Sequence, residues 1–324
     1  MITRKLWRLL ANPPQSNALY RRLSASGSVR PKRRQKTSLL GLIYGSFAIM
    51  LRNVVLLGVV YIGFLIVLLS VVVAANATPT GTDTGMGLLF LLISAIIFSG
   101  IIYGTDWTIA IADALTHERE RGTYDLLSLC PAGPLGANWS ISLGLLHRDN
   151  LFTQRYNRHL LVIRLLLIFA GVTTLSVIFA ANSAFTFAEN LVIILSLLAF
   201  IAAAYLDYPQ SIITATLIGM FTALYAPRRS DAQAVAVIGF VGAQIGIYLT
   251  VVVVNFSVLP TIVSAFAVES ATGELLLLIP RLLVFFLTRE AVIVLLWQAL
   301  NNLLVSDASE VERLFDPGGL ASGF

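Results

Sequence analysis

Residues 54–75 read VVLLGVVYIGFLIVLLSVVVAA, 22 consecutive positions without a charge. About 20 predominantly apolar residues in a helix cross the hydrocarbon core of a bilayer, so this run is long enough to span one. Comparable runs follow at 88–112, with Asp106 as the sole charge, at 161–181 with Arg164, and at 191–226 with Asp207. The run at 233–255 is uncharged, and 275–304 contains Arg281, Arg289 and Glu290. Hydrophobic residues make up 57% of the 324 and charged residues 12%, whereas soluble domains carry roughly a quarter charged residues. This composition excludes disordered, collagenous and disulfide-framework classes. The expected fold is an all-α polytopic membrane protein.

Charge placement decides the number of spans, because lysine and arginine collect at the cytoplasmic ends of transmembrane helices. Residues 1–53 contain eleven of the 22 basic residues and no acidic one, which places the N-terminus inside. With six spans the outer loops are 76–87, 182–190 and 257–274. They contain Asp83, Glu189, Glu269 and Glu274 but no lysine or arginine. The inner loop 114–160 carries Arg119, Arg121, Arg148, Arg155 and Arg158, and the inner turn 227–232 carries Arg228 and Arg229. Splitting 191–226 at Asp207-Tyr208-Pro209 would make seven spans and put Arg228 and Arg229 outside. The expectation is therefore six spans with both termini cytoplasmic, in a prokaryotic plasma (inner) membrane. At 1.5 Å per residue the 36 residues of 191–226 make about 54 Å of helix, so this segment must tilt, kink at Pro209 or project into the cytoplasm.

Three parts follow: a basic cytoplasmic tail and interfacial helix over 1–53, a six-helix domain over 54–304, and a cytoplasmic tail over 305–324. The stretch 38–51 is too short to cross and follows the basic run RPKRRQK at 30–36. It suits an interfacial helix lying on anionic membrane lipids, and residues 2–10 suit a second, smaller one. No domain accompanies the basic segment that would make it a nucleic-acid-binding arm. Residues 257–274 hold an apolar stretch broken by Pro260, which fits either a re-entrant hairpin or an ordered loop.

The lysines restrict the chemistry. Lys5, Lys32 and Lys36 are the only three, and none follows the glycine pattern of a phosphate-binding P-loop. The chain has no such ATP site of its own, and no nucleophile or metal constellation sits in the spans. No enzymatic activity and no cofactor are expected. His117, His147 and His159 all fall in the inner loop, which argues against haem or pigment ligation within the bilayer.

The inner loop reads HERERGTYDLLSLCP over 117–131. Gly122 permits a break after the second span, Thr123 suits an N-cap accepting from an amide in the next turn, and Asp125 suits the positive first turn. The result is a short helix with Tyr124, Leu126, Leu127 and Leu129 as its apolar surface, ended by Pro131. Such an element fits either a plug for another protein's groove or an amphipathic loop packed on its own bundle.

Glu118, Arg119, Glu120, Gly122, Thr123, Asp125, Leu127 and Pro131 resemble the signature of the type-2 ABC exporter permeases, which follows the second transmembrane helix. The layout is also similar: an interfacial helix, six spans, and a re-entrant region between spans five and six. The resemblance implies a transmembrane permease subunit that pairs with a second transmembrane subunit and a separate ATP-binding subunit. In that family 118–131 would receive the ATPase's movement. The 29 residues of 132–160 that precede the next span are longer than in that layout. They motivate an alternative, a permease-derived, non-transporting structural subunit of a larger redox or photosynthetic membrane complex.

Ionisable groups at membrane depth are candidates for function. Arg289 and Glu290 are adjacent, so they point about 100° apart on a helix and need not pair with each other. Asp106 and Asp207 are candidate partners for Arg281 or Arg289, either lining a translocation path or locking a conformation, or as ion pairs that fix packing. The packing reading is preferred. Asp113 falls at the inner interface, with no special role expected of it. Gly242 and Gly246 form G-x-x-x-G in the fifth span, a pattern that permits close helix contact.

Overall fold

A computed structural model describes residues 1–13, 18–25, 83–128, 133–148, 151–180, 187–264 and 270–304, together with Val311 and Leu314. The described residues are helical, with no strand among them. The expected interfacial helix at 38–51, the span 54–75 and most of the tail 305–324 lie outside them.

The helices are α1 (Ile2–Ala11), α2 (Ala18–Ala25), α3 (Asp83–Glu120), α4 (Thr123–Ser128), α5 (Gly133–Leu146), α6 (Leu151–Ala180), α7 (Phe187–Tyr225), α8 (Arg229–Val253), α9 (Leu259–Ser264) and α10 (Ser270–Leu304). The expected spans after the first fall on α3, α6, α7, α8 and α10. Two stretches, Ile194–Tyr225 and Arg229–Ile262, are long and apolar enough to cross a membrane. The surface agrees with that composition. Leu161, Leu165, Ile168 and Val172 on α6, Ile238 and Leu249 on α8, and Ile279, Leu283 and Leu287 on α10 are each at least half exposed. An exposed apolar surface of this extent marks a membrane or protein contact.

Helix α7 is the axis of the bundle, packing against α3, α6, α8 and α10. Its 39 residues make about 58 Å of helix, and it runs unbroken through Pro209. From Asp207 to Met220 every residue except Pro209 is buried. Close packing among α3, α7 and α8 depends on small residues. A Cβ added to Gly104 would lie 2.2 Å from the Phe240 ring, and one added to Gly219 would meet Ile111 at 3.0 Å. The expected G-x-x-x-G contact does not form among the described residues, because Cβ atoms at Gly242 and Gly246 would meet open space.

Two expectations are corrected and a third is narrowed. First, 132–160 is not an extended inner loop. It contains α5, whose sequence is apolar nearly all round and too short to cross a bilayer, so burial in the bundle is its stable solution. Trp139 of α5 is fully buried and meets Trp297 of α10 edge-on at 6.1 Å. Helix α6 then begins at Leu151, ten residues before the expected span. Second, residues 2–10 form a helix, but its apolar face enters the protein rather than lying on a surface. Leu6 and Leu10 have no exposure, and each such burial contributes about 1.5–3 kcal/mol. Third, the segment 257–274, expected as either a re-entrant hairpin or an ordered loop, is helical over its described residues 257–264 and 270–274. A π turn at Val254–Val258 carries α8 into α9, and α10 starts at Ser270.

Candidate functional site

Asp207 and Arg289, both proposed from sequence, form an ion pair between α7 and α10 in the centre of the bundle. The rest of the site comes from residues one helical turn away on each element. Arg289 also donates to Ser211 Oγ at 3.0 Å and to Gln244 Oε1 at 3.1 Å. Its guanidinium lies over the rings of Tyr248 and Phe285, 5.0 and 5.2 Å from their centroids. The Tyr248 hydroxyl donates to Asp207 Oδ1 at 2.8 Å. Helix α3 completes the enclosure with Gly100, where a Cβ would stand 2.7 Å from Asp207 Oδ2. Arg289 has no solvent exposure. Charge burial at this depth is tolerable because the pair neutralises itself and both members are hydrogen-bonded. The amide of Gln210, the Nε2 of Gln244 and the Nε of Arg289 are also buried, with no partner among the described residues.

Glu290 faces elsewhere, as adjacent helical residues must. Its carboxylate accepts from the Ile2 amide at 2.8 Å, from the Thr3 amide at 3.3 Å and from the Thr3 hydroxyl. It is an N-cap for α1 supplied by another helix, satisfying donors that the first turn leaves open and complementing the positive end of the helix. At the other end of α1, His147 Nε2 contacts the Leu10 carbonyl at 2.7 Å. Burial of His147 lowers its pKa below the ordinary 6.5, a shift only partly opposed by that hydrogen bond. The neutral ring thus donates to Leu10. Between the two ends, Trp7 packs on Phe152, Tyr156 and Tyr208.

Asp106 does not meet Arg281 or Arg289. Its partner is Arg155, at 3.5 Å. The early start of α6 makes Arg155 helical and lays its guanidinium over Tyr103 and Trp107, at 5.0 and 4.8 Å. Arg281 sits 6.0 Å from the Phe256 ring.

The motif at 118–131 forms a second network, at the opposite end of α3 from its start. Gly122 has φ +69°, the left-handed conformation the break requires. Thr123 differs from expectation: its hydroxyl donates back to the Glu118 carbonyl at 3.0 Å and to the Glu118 carboxylate, instead of accepting from the next turn. Arg119 donates to the Ala223 and Leu224 carbonyls at 2.5 and 2.9 Å, capping the C-terminus of α7. Glu120 accepts from the Arg229 amide at 3.1 Å, capping the N-terminus of α8. Asp113 holds the Arg229 guanidinium through two oxygens and accepts from Gln233 Nε2 at 2.6 Å. Three acidic and basic residues of α3 therefore clasp the α7–α8 turn. Tyr124 is tied to α5, its hydroxyl accepting from Asn138 at 2.9 Å. Asp125 is exposed in the first turn of α4, and Leu126 is 69% exposed. The Leu127 side chain and Pro131 lie outside what is described.

Sequence reasoning missed Ser211, Gln244 and Tyr248, although a signal was present. Gln244 is a polar residue in an uncharged span, Tyr248 lies one turn from it, and Ser211 lies one turn from Asp207. Asp113 with Arg229, and Arg155, gave no such signal, since each stands among other interfacial charges. No group of three or more His, Cys, Asp or Glu able to hold a metal occurs among the described residues. Compared with protein-family models, curated proteins and solved structures, the chain matches none of them.

Proposed function

We propose that the chain is the transmembrane permease subunit of an ABC-type exporter, a six-span inner-membrane protein with both termini in the cytoplasm, driven by a separate ATP-binding subunit and paired with a second transmembrane subunit. The observation that carries this reading is the build of the 118–131 region. A short helix with an exposed Leu126 stands at the end of α3, and the residues just before it grip the α7–α8 turn. A partner pressing on α4 would therefore move three long helices through hydrogen bonds to charged groups. The unbroken α7 supports six spans over seven, since Asp207-Tyr208-Pro209 does not interrupt it. The motif resemblance supports the class. Transport would follow alternating access, with substrate class open and no chemistry performed by this chain.

Purification of the full chain with candidate ATP-binding subunits tests the proposal. A stable complex is expected, weakened by Leu126→Asp and uncoupled by Gly122→Val. Absence of a complex with every candidate, or ATPase activity indifferent to both substitutions, would overturn it. The non-transporting alternative draws on the buried α5 and the fully enclosed Asp207–Arg289 pair, which suit a static scaffold. Co-migration with redox or pigment proteins in gently solubilised membranes, without an ATPase, would favour it.

A further inference from the structure

Helix α6 has two sides of opposite character. Phe152, His159 and Ile163 are buried, and Ile163 clusters with Leu197, Ile201 and Ala204 of α7. At about 100° per residue the opposite side is centred on Leu161. It carries Leu161, Leu165, Ile168 and Val172, each more than half exposed. On the N-terminal side of Leu161 it carries the exposed amides Gln154 and Asn157. Two arginines bound this strip. Arg158 precedes Leu161 by three residues and Arg164 follows it by three, so they stand about 60° to either side of it and about 9 Å apart along the axis.

Both arginines are exposed. Neither makes an ion pair or hydrogen bond among the described residues, unlike Arg155, which is paired with Asp106. Helix α6 contains no acidic residue. An arginine beside an apolar track is costly in a membrane unless it reaches the interface or an anion meets it, and its planar fork matches a phosphate. Helical side chains lean toward the N-terminus, which carries the Arg164 guanidinium back toward the polar end of the strip. The order along α6 is therefore polar amides, two cationic groups, then an unbroken apolar track. A phospholipid has the complementary order of headgroup, phosphate and acyl chain.

We infer that this face of α6 binds an anionic phospholipid. Arg158 and Arg164 hold its phosphate, Gln154 and Asn157 face the headgroup, and an acyl chain lies along Leu161, Leu165, Ile168 and Val172. A lipid of net negative charge is selected over a zwitterionic one, because two cations meet one phosphate and α6 offers no carboxylate to a headgroup ammonium. The inference rests on α6 lying in the membrane, as in the reading above, but on neither transport nor an ATP-binding subunit.

The test titrates the full chain in detergent with phosphatidylglycerol or phosphatidylcholine, read by native mass spectrometry. The wild type should bind phosphatidylglycerol more tightly. Arg158→Gln and Arg164→Gln should each weaken that binding about fivefold, the contribution of one arginine at an anionic surface. Together they should weaken it about 25-fold and leave phosphatidylcholine binding within about twofold. The pair Arg158→Lys, Arg164→Lys should retain most of the preference, which separates charge from a folding defect. The pair Arg4→Gln, Arg8→Gln, exposed on α1, should leave it unchanged. Equal affinity for the two lipids, indifference to the double glutamine replacement, or an equal loss in the α1 pair would overturn the site. In nanodiscs of both lipids, a spin label at Ile168→Cys on a Cys130→Ser background should show the oxygen access of an acyl-chain environment. Dipolar broadening with low oxygen access would place a second copy on this face and overturn the lipid. Low oxygen access without broadening would overturn the membrane placement of α6 itself, whereas a lipid-exposed label without phosphatidylglycerol selection would overturn the site alone.

Discussion

Among the described Asp–Arg pairs, Asp207–Arg289 links α7 to α10 and Asp113–Arg229 links α3 to α8, and the two differ in setting. Asp207–Arg289 is sealed, with 2% and 0% side-chain exposure, and ringed by Ser211, Gln244, Tyr248 and Phe285. Asp113–Arg229 is open, with 21% and 45% exposure, at the helix ends. In the sealed pair, removal of one member strands the other in a medium that cannot hydrate it. In the open pair, water replaces whatever is removed. The same chemistry therefore fixes geometry in the centre and permits adjustment at the α7–α8 turn.

Breaking the sealed pair should have the largest effect. Arg289→Leu or Asp207→Leu alone should destabilise the protein by about 3–5 kcal/mol, whereas the double replacement should recover most of that loss. Thermal unfolding of the three variants in one detergent checks this, and equal losses for single and double variants would refute the account. Next comes the packing that lets the helices approach: Gly104→Ala places a Cβ 2.2 Å from Phe240, and overpacking of that kind costs about 1–3 kcal/mol. Adding Phe240→Leu should restore stability. A smaller effect is expected at His147, which faces the Leu10 carbonyl and the rings of Tyr20 and Phe152. Its docked pKa is depressed, so the undocked state binds more protons. Docking of α1 is unaffected above pH 6.5 and weakens as pH falls below it. Hydrogen exchange of residues 2–11 at pH 7.5 and 5.5, with His147→Gln as the pH-insensitive control, measures it. The open pair should matter least to stability. Arg229→Ala should cost no more than about 1 kcal/mol, less still at high salt, while the ATPase coupling proposed above falls much further than the melting temperature.

Element type was legible from residues because it depends on local composition. Long apolar runs had to be helices, and α3, α6, α7, α8 and α10 fall on them. The break at Gly122 was legible for the same reason, as was the divergence of Arg289 from Glu290. Span boundaries were less so: the start of α6 at Leu151 precedes its apolar run because Arg155 finds Asp106 and two aromatic rings, a partner set that no local pattern announces. Helix α5 was hidden because GPLGANWSISLGLL is too short for a span and carries no polar face. Helix α1 was legible as amphipathic, but amphipathicity does not distinguish a lipid surface from a protein groove.

The sequence by itself determined that the chain is a set of long apolar helices with sparse, segregated charge, and that Asp207, Arg289 and Glu290 stand where a charge is costly. Only the tertiary structure decided which groups offset that cost: Arg289 for Asp207, the amides of α1 for Glu290, and Arg155 for Asp106. The physical reason is rotational. A helix apolar nearly all round can turn about its axis with little change in burial, so composition leaves the rotation open, and packing at Gly100, Gly104 and Gly219 settles which polar side chains finally meet.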